Sequence, residues 1–423
     1  MSSKITRALP ELVENGIITD EIAQNIKAFY GNSEESSANR LFTLFGILGA
    51  TLVGLGIILI MAHNWDDFSR GVKLIFAFLP MLIGQAILGF SIFKEKSSAW
   101  KEASTVFLFF GVGACIALVS QIYHVSGDLE SFLLAWIVLC VPLMFVTKST
   151  SAVILHLIFI TYYAFEAGYG HNTTIPHIYF LLLLLALPSY VRMIKAQTKS
   201  HVTSVLHWLF PMSLIFSLPV CIDQSEGVGF LMYVLLFGVF YNIGQLPYFK
   251  NKSLLQNGYR TLGSLGTVII LLILSFRDIW KHQFQDVYFD SLEFLCAMIL
   301  FVIASVLLYF NSKQNALKSM NLFHFVFLLF GVIFMIGLFN DLLPTILINA
   351  LLFILGVSAI KIGAEKFHFG ILNYGMLIIA ILIACRFFDT DITYVVRGLL
   401  FVFIGGGFFT ANYLMLKKQK SKK

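Results

Sequence analysis

Two short polar segments hold the residues with the most evident chemistry. The first reads Ala62-His63-Asn64-Trp65-Asp66-Asp67-Phe68-Ser69-Arg70-Gly71, and the second Ser120-Gln121-Ile122-Tyr123-His124-Val125-Ser126-Gly127-Asp128. Histidine beside carboxylate can bind a cation, relay a proton or supply an acid and a base, because imidazole titrates near neutral pH. A third segment, Arg386-Phe387-Phe388-Asp389, adds a cation and an acid. The spacings His63-x-x-Asp66 and His124-x-x-x-Asp128 are possible for metal ligands, but such pairs are common, so no metal is implied and no cofactor is expected. The competing reading is structural. In it Asp66 caps a helix end, Arg70 is its salt-bridge partner, Trp65 anchors at a membrane interface and His124 is a hydrated loop residue. The first two segments are denser in polar groups than capping needs. The candidate outward-facing polar site is therefore His63, Asn64, Asp66, Asp67, Arg70, Gln121, Tyr123, His124 and Asp128, with Arg386 and Asp389.

The elements that must position these groups follow from composition. Of 423 residues, 58% are hydrophobic, 15% aromatic and 12% charged, whereas soluble domains carry about 25% charged residues. Mean hydropathy is +0.85. Too little polar side chain is present to coat a water-soluble body of this size, which excludes a cytosolic enzyme, a secreted domain and a disordered chain. Residues 1–40 are polar, lack the apolar core of a signal peptide and read as a small cytoplasmic helical hairpin. Within it, Leu9 to Glu14 forms a first helix stopped by Asn15-Gly16, and Thr19 caps a second running from Asp20 to Tyr30. Apolar runs near the length of about 20 residues that a bilayer requires then follow. Fourteen are expected, at 41–62, 72–93, 103–123, 130–147, 151–167, 175–194, 201–222, 227–247, 258–276, 289–310, 319–339, 342–360, 368–388 and 395–416. The fold class is thus all-α, a polytopic integral membrane bundle over 41–416, with a basic cytoplasmic tail at 417–423.

Charge orients the bundle. Of 29 lysines and arginines, twenty-three fall on the side of the two termini, and only Arg70, Lys73, Arg277, Lys281, Arg386 and Arg397 fall on the other. The acids partition the opposite way. Lysine and arginine are retained on the cytoplasmic side, so both termini are expected there and the histidine–aspartate segments outside. The net charge of +6 therefore reports topology, and no nucleic-acid partner is expected. The five cysteines form no CxxC or Cys/His spacing, so neither a disulfide framework nor a zinc site is indicated. Gln85, His156, Asn242, Gln245, Asn349 and Asn373 fall at or near membrane depth, where interhelical hydrogen bonding is the first explanation; His156 and Gln85 are the better candidates for something more. Glycines at 46, 49, 54 and 56, at 111 and 113, and at 405–407 read as helix-packing faces.

Three pieces of the chain together carry a family resemblance. They are Leu12-x-x-x-Gly16-Ile17-Ile18-Thr19, then Gly54-Leu55-Gly56 leading into His63-Asn64-Trp65-Asp66, then Gln121-x-Tyr123-His124 with Gly127-Asp128 and Trp136. This resembles the bacterial membrane proteins grouped as domain of unknown function 2157, over about residues 5–150. The Arg386–Asp389 step and the 405–412 segment look like the C-terminal part of long members and of the related domain of unknown function 4401. The resemblance implies a bacterial inner-membrane protein with a cytoplasmic N-terminal hairpin and supplies no activity. Three functions fit such a chain. One is a transporter or flippase-like protein, moving a small-molecule or lipid-linked ligand through an outward-facing cavity. Another is an intramembrane enzyme acting on a lipid-linked substrate, with Asp66 or Asp67 as base and His124 or His63 as partner. The last is a scaffold or sensor whose residues 1–38 dock a cytoplasmic protein. Membrane lipids are partners in all three. Sidedness is testable directly: in a cysteine-free background, a membrane-impermeant thiol reagent added from the periplasm should modify a cysteine at position 127 and spare one at position 97. The reverse pattern would invert the topology.

Overall fold

Hydrocarbon offers peptide groups no water, so a chain this apolar must pair its backbone internally. The computed structural model describes residues 9–26, 68–169, 177–196, 201–222, 225–250, 252–284, 287–314 and 320–389, with isolated positions between 44 and 53 and between 395 and 413. All regular structure among the described residues is helical. Near the N-terminus, α1 covers 9–14 and α2 begins at 20 and is described to 26. Gly16 turns the chain between them at φ 66°, and the Thr19 hydroxyl accepts the Ile22 N–H at 3.4 Å.

The longer elements are α3 (Arg70–Phe93), α4 (Ser98–Tyr123), α5 (Leu129–Val146), α6 (Thr150–Tyr169), α7 (His177–Ala196) and α8 (His201–Ser217). They continue as α9 (Glu226–Ile243), the single turn α10 (Pro247–Lys250), α11 (Gly258–Leu274), α12 (Arg277–Gln283) and α13 (Leu292–Gln314). Last come α14 (Val326–Gly337), α15 (Leu342–Glu365) and α16 (Phe369–Asp389). Ten helices among the described residues are long and apolar enough to cross a membrane: α3 to α7, Thr203–Cys221, α9, α13, α15 and α16. They coincide with ten of the fourteen expected runs.

The other four runs fare differently. The run at 258–276 is α11, which ends in an 83° bend into α12; counted as one span, the pair makes eleven. The run at 319–339 holds only the 12 residues of α14, about 18 Å of helix against a hydrocarbon core of about 30 Å. It is shortened because Asn321 and His324 are taken into a 3-10 turn before it, while Asn340 Oδ1 accepts the Leu342 and Leu343 N–H groups, each at 2.8 Å, to start α15. The runs at 41–62 and 395–416 lie outside the described residues except for isolated helical positions.

The chain divides into two compact units. One comprises 1–163 with 179–196, the other 164–178 with 197–423, so the boundary falls inside α6 and α7. In the first unit α3 and α4 form an antiparallel hairpin. Leu88 packs with Leu108, Phe109, Val112 and Cys140 at one level, and Ala77 packs with Ile122 at another. Trp136 on α5 presses on Gly113, where a Cβ would lie 2.3 Å from the indole, and its Nε1–H donates to the Phe109 carbonyl at 2.8 Å. Gly111 likewise admits the Pro80 carbonyl of α3. The packing role holds at these two glycines; among the described residues nothing lies within 4 Å of a Cβ placed at Gly46, Gly49 or Gly405–Gly407.

Glu102, near the start of α4, reaches across to the start of α6. Its carboxylate accepts the Thr150 N–H at 2.9 Å and the Ser151 N–H at 2.8 Å, and takes the Ser149 hydroxyl in a short contact. The negative group thus satisfies donors that a helix N-terminus leaves open and complements its dipole. His156 is buried and its Nε2 lies 2.9 Å from the Leu182 carbonyl on α7, the interhelical bond that accounts for it.

The second unit is built around α9, buried along most of its length. Gly263 and Gly266 of α11 lie against Tyr241 and Phe237 of α9, and Gly238 of α9 lies against Phe327 of α14. Asn242 donates to the Gly238 and His324 carbonyls at 2.9 and 3.4 Å and accepts from Asn311 of α13. Fully buried Asn257 caps α11, accepting the Arg260 N–H at 3.0 Å while donating to the Gly244 and Phe249 carbonyls.

These contacts set two expectations. Glu102→Ala should cost about 1–3 kcal/mol, the range for stranding buried donors. Gly113→Leu should cost at least as much by forcing the indole off Phe109. Thermal unfolding of the detergent-solubilised protein measures both, and unchanged melting would remove these contacts from the account of stability.

Candidate functional site

The α3–α4 hairpin places Arg70, the exposed first residue of α3, at the same end as residues 121–128. His63, Asn64, Asp66 and Asp67 lie outside the described residues. Gln121 and Tyr123 are exposed on the last turn of α4. His124 closes that helix in the left-handed region at φ 50°, with the Val125 N–H returning to the Ser120 carbonyl at 2.9 Å. Its position is that of a helix C-terminal stop, usually glycine. Asp128 is the N-cap of α5, accepting the Ser131 N–H at 2.7 Å; that bond holds its carboxyl below the ordinary carboxylate range. Backbone capping thus accounts for the placement of His124 and Asp128.

Arg386 belongs to the other unit, so the expected set is divided between the two bodies. The Asp389 side chain lies outside the described residues. Around Arg386 a different site takes shape, at the elbow where α11 breaks into α12. The Ser275 N–H and hydroxyl both turn back to the Leu272 carbonyl, at 3.3 and 2.6 Å. The Phe276 N–H goes to Ile273, and the Trp280 Nε1–H to the Leu274 carbonyl at 2.7 Å. The Ser275 carbonyl accepts from Asn349 Nδ2 of α15 at 3.1 Å. Arg386 Nη2 donates to the Ser275 hydroxyl at 3.2 Å, and its guanidinium carbon lies 4.7 Å from the Phe276 ring centroid. Arg277 Nε meets Asp341 at 2.8 Å, and that pairing lowers the Asp341 pKa.

Sequence inspection sees Asn349, Arg277 and Arg386 separately. It misses the elbow because Ser275-Phe276-Arg277 contains neither proline nor glycine, so no local signal marks the break. Chemically the elbow offers a cation, an amide and a hydroxyl about two turns inside the end of α15. Among the described residues, no group of three or more His, Cys, Asp or Glu side chains could hold a metal ion. A cavity of about 400 Å³ opens beside Phe289, Asp290, Ser291 and Met298 at the start of α13, lined by a single stretch of chain.

Ten or eleven membrane-length helices among the described residues, with polar groups gathered at their ends, define a multi-pass α-helical membrane protein. Residues 10–153 match the family described as "Predicted membrane protein (DUF2157)". The match ends within α6 and does not reach the C-terminal segment likened above to domain 4401. No curated protein and no solved structure matches the chain.

The capping geometry separates structural from chemical roles. His124→Gly should keep or raise thermal stability, since glycine takes the left-handed conformation without steric cost. Asp128→Ala should lower it at neutral pH. The Asp128 contribution is complete above the unfolded carboxyl pKa of about 3.9 and is lost as pH falls through the depressed folded value, so the two proteins should converge in melting temperature in acid. A His124→Gly protein that melts as wild type but loses function would return the imidazole to the site.

Proposed function

We propose that the protein is a transporter or flippase-like membrane protein, whose substrate meets the polar groups of one face. The observation that carries this reading is the elbow of α11 and α12. Irregular backbone at the edge of the hydrocarbon still needs its peptide groups paired in protein or facing a cavity, and discontinuous helices are where secondary transporters bind their substrates. Here the junction is held by Asn349, Arg386 and Trp280. The outer-loop groups His63, Asn64, Asp66, Asp67, Arg70, Gln121, Tyr123, His124 and Asp128 remain part of this reading as the outward-facing polar residues expected from the sequence, together with Arg386 and Asp389.

The proposal includes the topology. Both termini are cytoplasmic, in a bacterial inner membrane, with a hairpin at 1–40, a fourteen-span bundle at 41–416 in which α14 crosses together with the 3-10 turn before it, and a basic tail at 417–423. The first unit supports the alternation: the Glu102 bridge gathers Lys94, Lys96, Lys101 and Lys148 at one end, opposite Arg70 and Asp128. That is the sorting expected of cytoplasmic and external loops.

The test is transport by the purified full chain in liposomes, reading fluorescent-lipid translocation and solute uptake in parallel. Wild type should exceed protein-free liposomes in one of them. Asp66→Asn and Arg386→Gln should each reduce that rate about tenfold or more with unchanged melting, and deletion of residues 1–38 should leave it intact. No activity above protein-free liposomes in either assay would sink the reading. So would loss of cellular function on deleting 1–38 while Asp66→Asn and Arg386→Gln are tolerated, which is the scaffold's signature.

A further inference from the structure

We propose that the α11–α12 elbow binds a phospholipid headgroup carrying a hydrogen-bond donor beside its phosphate, with Arg386 taking the phosphate and Asn349 the donor. This rests on the reading of the elbow as the substrate contact and names the class of substrate.

The argument begins with Asn349. Both amide protons are committed, to the Ser275 carbonyl at 3.1 Å and the Thr345 carbonyl at 2.7 Å. Two carbonyl acceptors fix the amide orientation, because a flip would set oxygen against oxygen. Its Oδ1 is then buried and without a hydrogen-bond partner among the described residues. A buried acceptor of this kind is completed by a donor from a water or from a bound molecule. Arg386 touches the same Ser275, through its hydroxyl. One serine between them brings the cation and the vacant acceptor within the span of a single headgroup. The guanidinium stacks on Phe276, which engages its flat face and fixes the plane holding its N–H fork. That fork matches two phosphate oxygens.

The surroundings favour a lipid over a free phosphate compound. Turned 83° from α11, α12 carries Arg277, Asp278, Lys281 and His282 within seven residues, a density of charge that suits headgroups and not hydrocarbon. Beside the Arg277–Asp341 pair, Phe339, Leu342, Leu343 and Ile346 are exposed apolar side chains, a surface suited to acyl chains. Phosphatidylglycerol offers hydroxyls and phosphatidylethanolamine an ammonium to Asn349. Phosphatidylcholine has the same phosphate and no donor.

Native mass spectrometry of the full chain in detergent, titrated with each of the three lipids, tests the assignment. Wild type should retain phosphatidylglycerol and phosphatidylethanolamine about tenfold more tightly than phosphatidylcholine. Arg386→Gln should lose all three, Arg386→Lys should recover part of the binding, and Asn349→Leu should hold the three lipids equally. Soluble glycerophosphoglycerol should not compete. Wild type without preference, or Arg386→Gln with unchanged binding, would overturn the proposal. Competition by glycerophosphoglycerol at equal concentration would overturn the lipid assignment in favour of a soluble phosphodiester. Should Arg386→Gln fail to fold, the Asn349→Leu selectivity decides alone. Binding is read without transport, so retention of lipid by a protein inactive in liposomes would sink the transport reading and leave this one standing.

Discussion

A helix that stops inside a bilayer must find partners for its last carbonyls, because an unsatisfied peptide group in hydrocarbon costs several kcal/mol. The break after Leu274 exists only because those partners are present. Ser275 returns its own N–H and hydroxyl to Leu272, Trp280 on the turned helix supplies the Leu274 carbonyl, and Asn349 on α15 supplies Ser275. Two of these donors come from other elements, so the elbow is a tertiary feature. Once it is formed, Phe276 and the Ser275 hydroxyl are available to position Arg386, and the polar chemistry of the second unit follows from where that arginine is held.

The same requirement decides where the chain spends its few polar side chains elsewhere. Glu102 closes the start of α6, Asp128 the start of α5, Asn257 the start of α11, Ser225 the start of α9 and Asn340 the start of α15. In water each would be a modest contributor of about 1 kcal/mol. For Asn257 and Ser225, which are buried, little solvent competes, and across the set capping is the first claim on a polar group. Capping thus accounts for where His124 and Asp128 sit, at the ends of α4 and α5. What capping leaves over is more informative, and Asn349 Oδ1 is such a remainder.

Apolar packing supplies the rest of the cohesion, through small residues and aromatic rings. Lipid tails are as apolar as leucine, so helices associate by close approach, not by escape from solvent. Gly263 brings α11 onto the backbone of α9 at Tyr241, and Gly113 brings α4 onto the Trp136 indole. In the first unit Phe109, Phe110, Trp136 and Phe159 meet with ring centroids 4.5–6.4 Å apart, which fixes the helices that carry the Arg70 and Asp128 ends.

Hydropathy alone determined that this is a multi-pass helical membrane protein and placed ten of its membrane-length helices, because burial in lipid is written as unbroken apolar runs that any window detects. Residue type at the helix ends likewise determined the capping residues Thr19 and Asn15-Gly16, whose partners lie within a few positions along the chain. Tertiary structure decided what local pattern does not encode. The 12-residue α14 reads as a span because Asn321 and His324 look incidental until Tyr241 and the start of α14 are set against them. The elbow at Ser275 has no proline or glycine to announce it, since its donors are sixty or more residues away or on the far side of the bend. Arg386 and Arg70 look alike in sequence, each a cation at the end of an apolar run, and only the fold assigns them to different bodies. Short-range hydrogen bonds and hydrophobic length are properties of a segment; which polar groups meet is a property of how the segments pack.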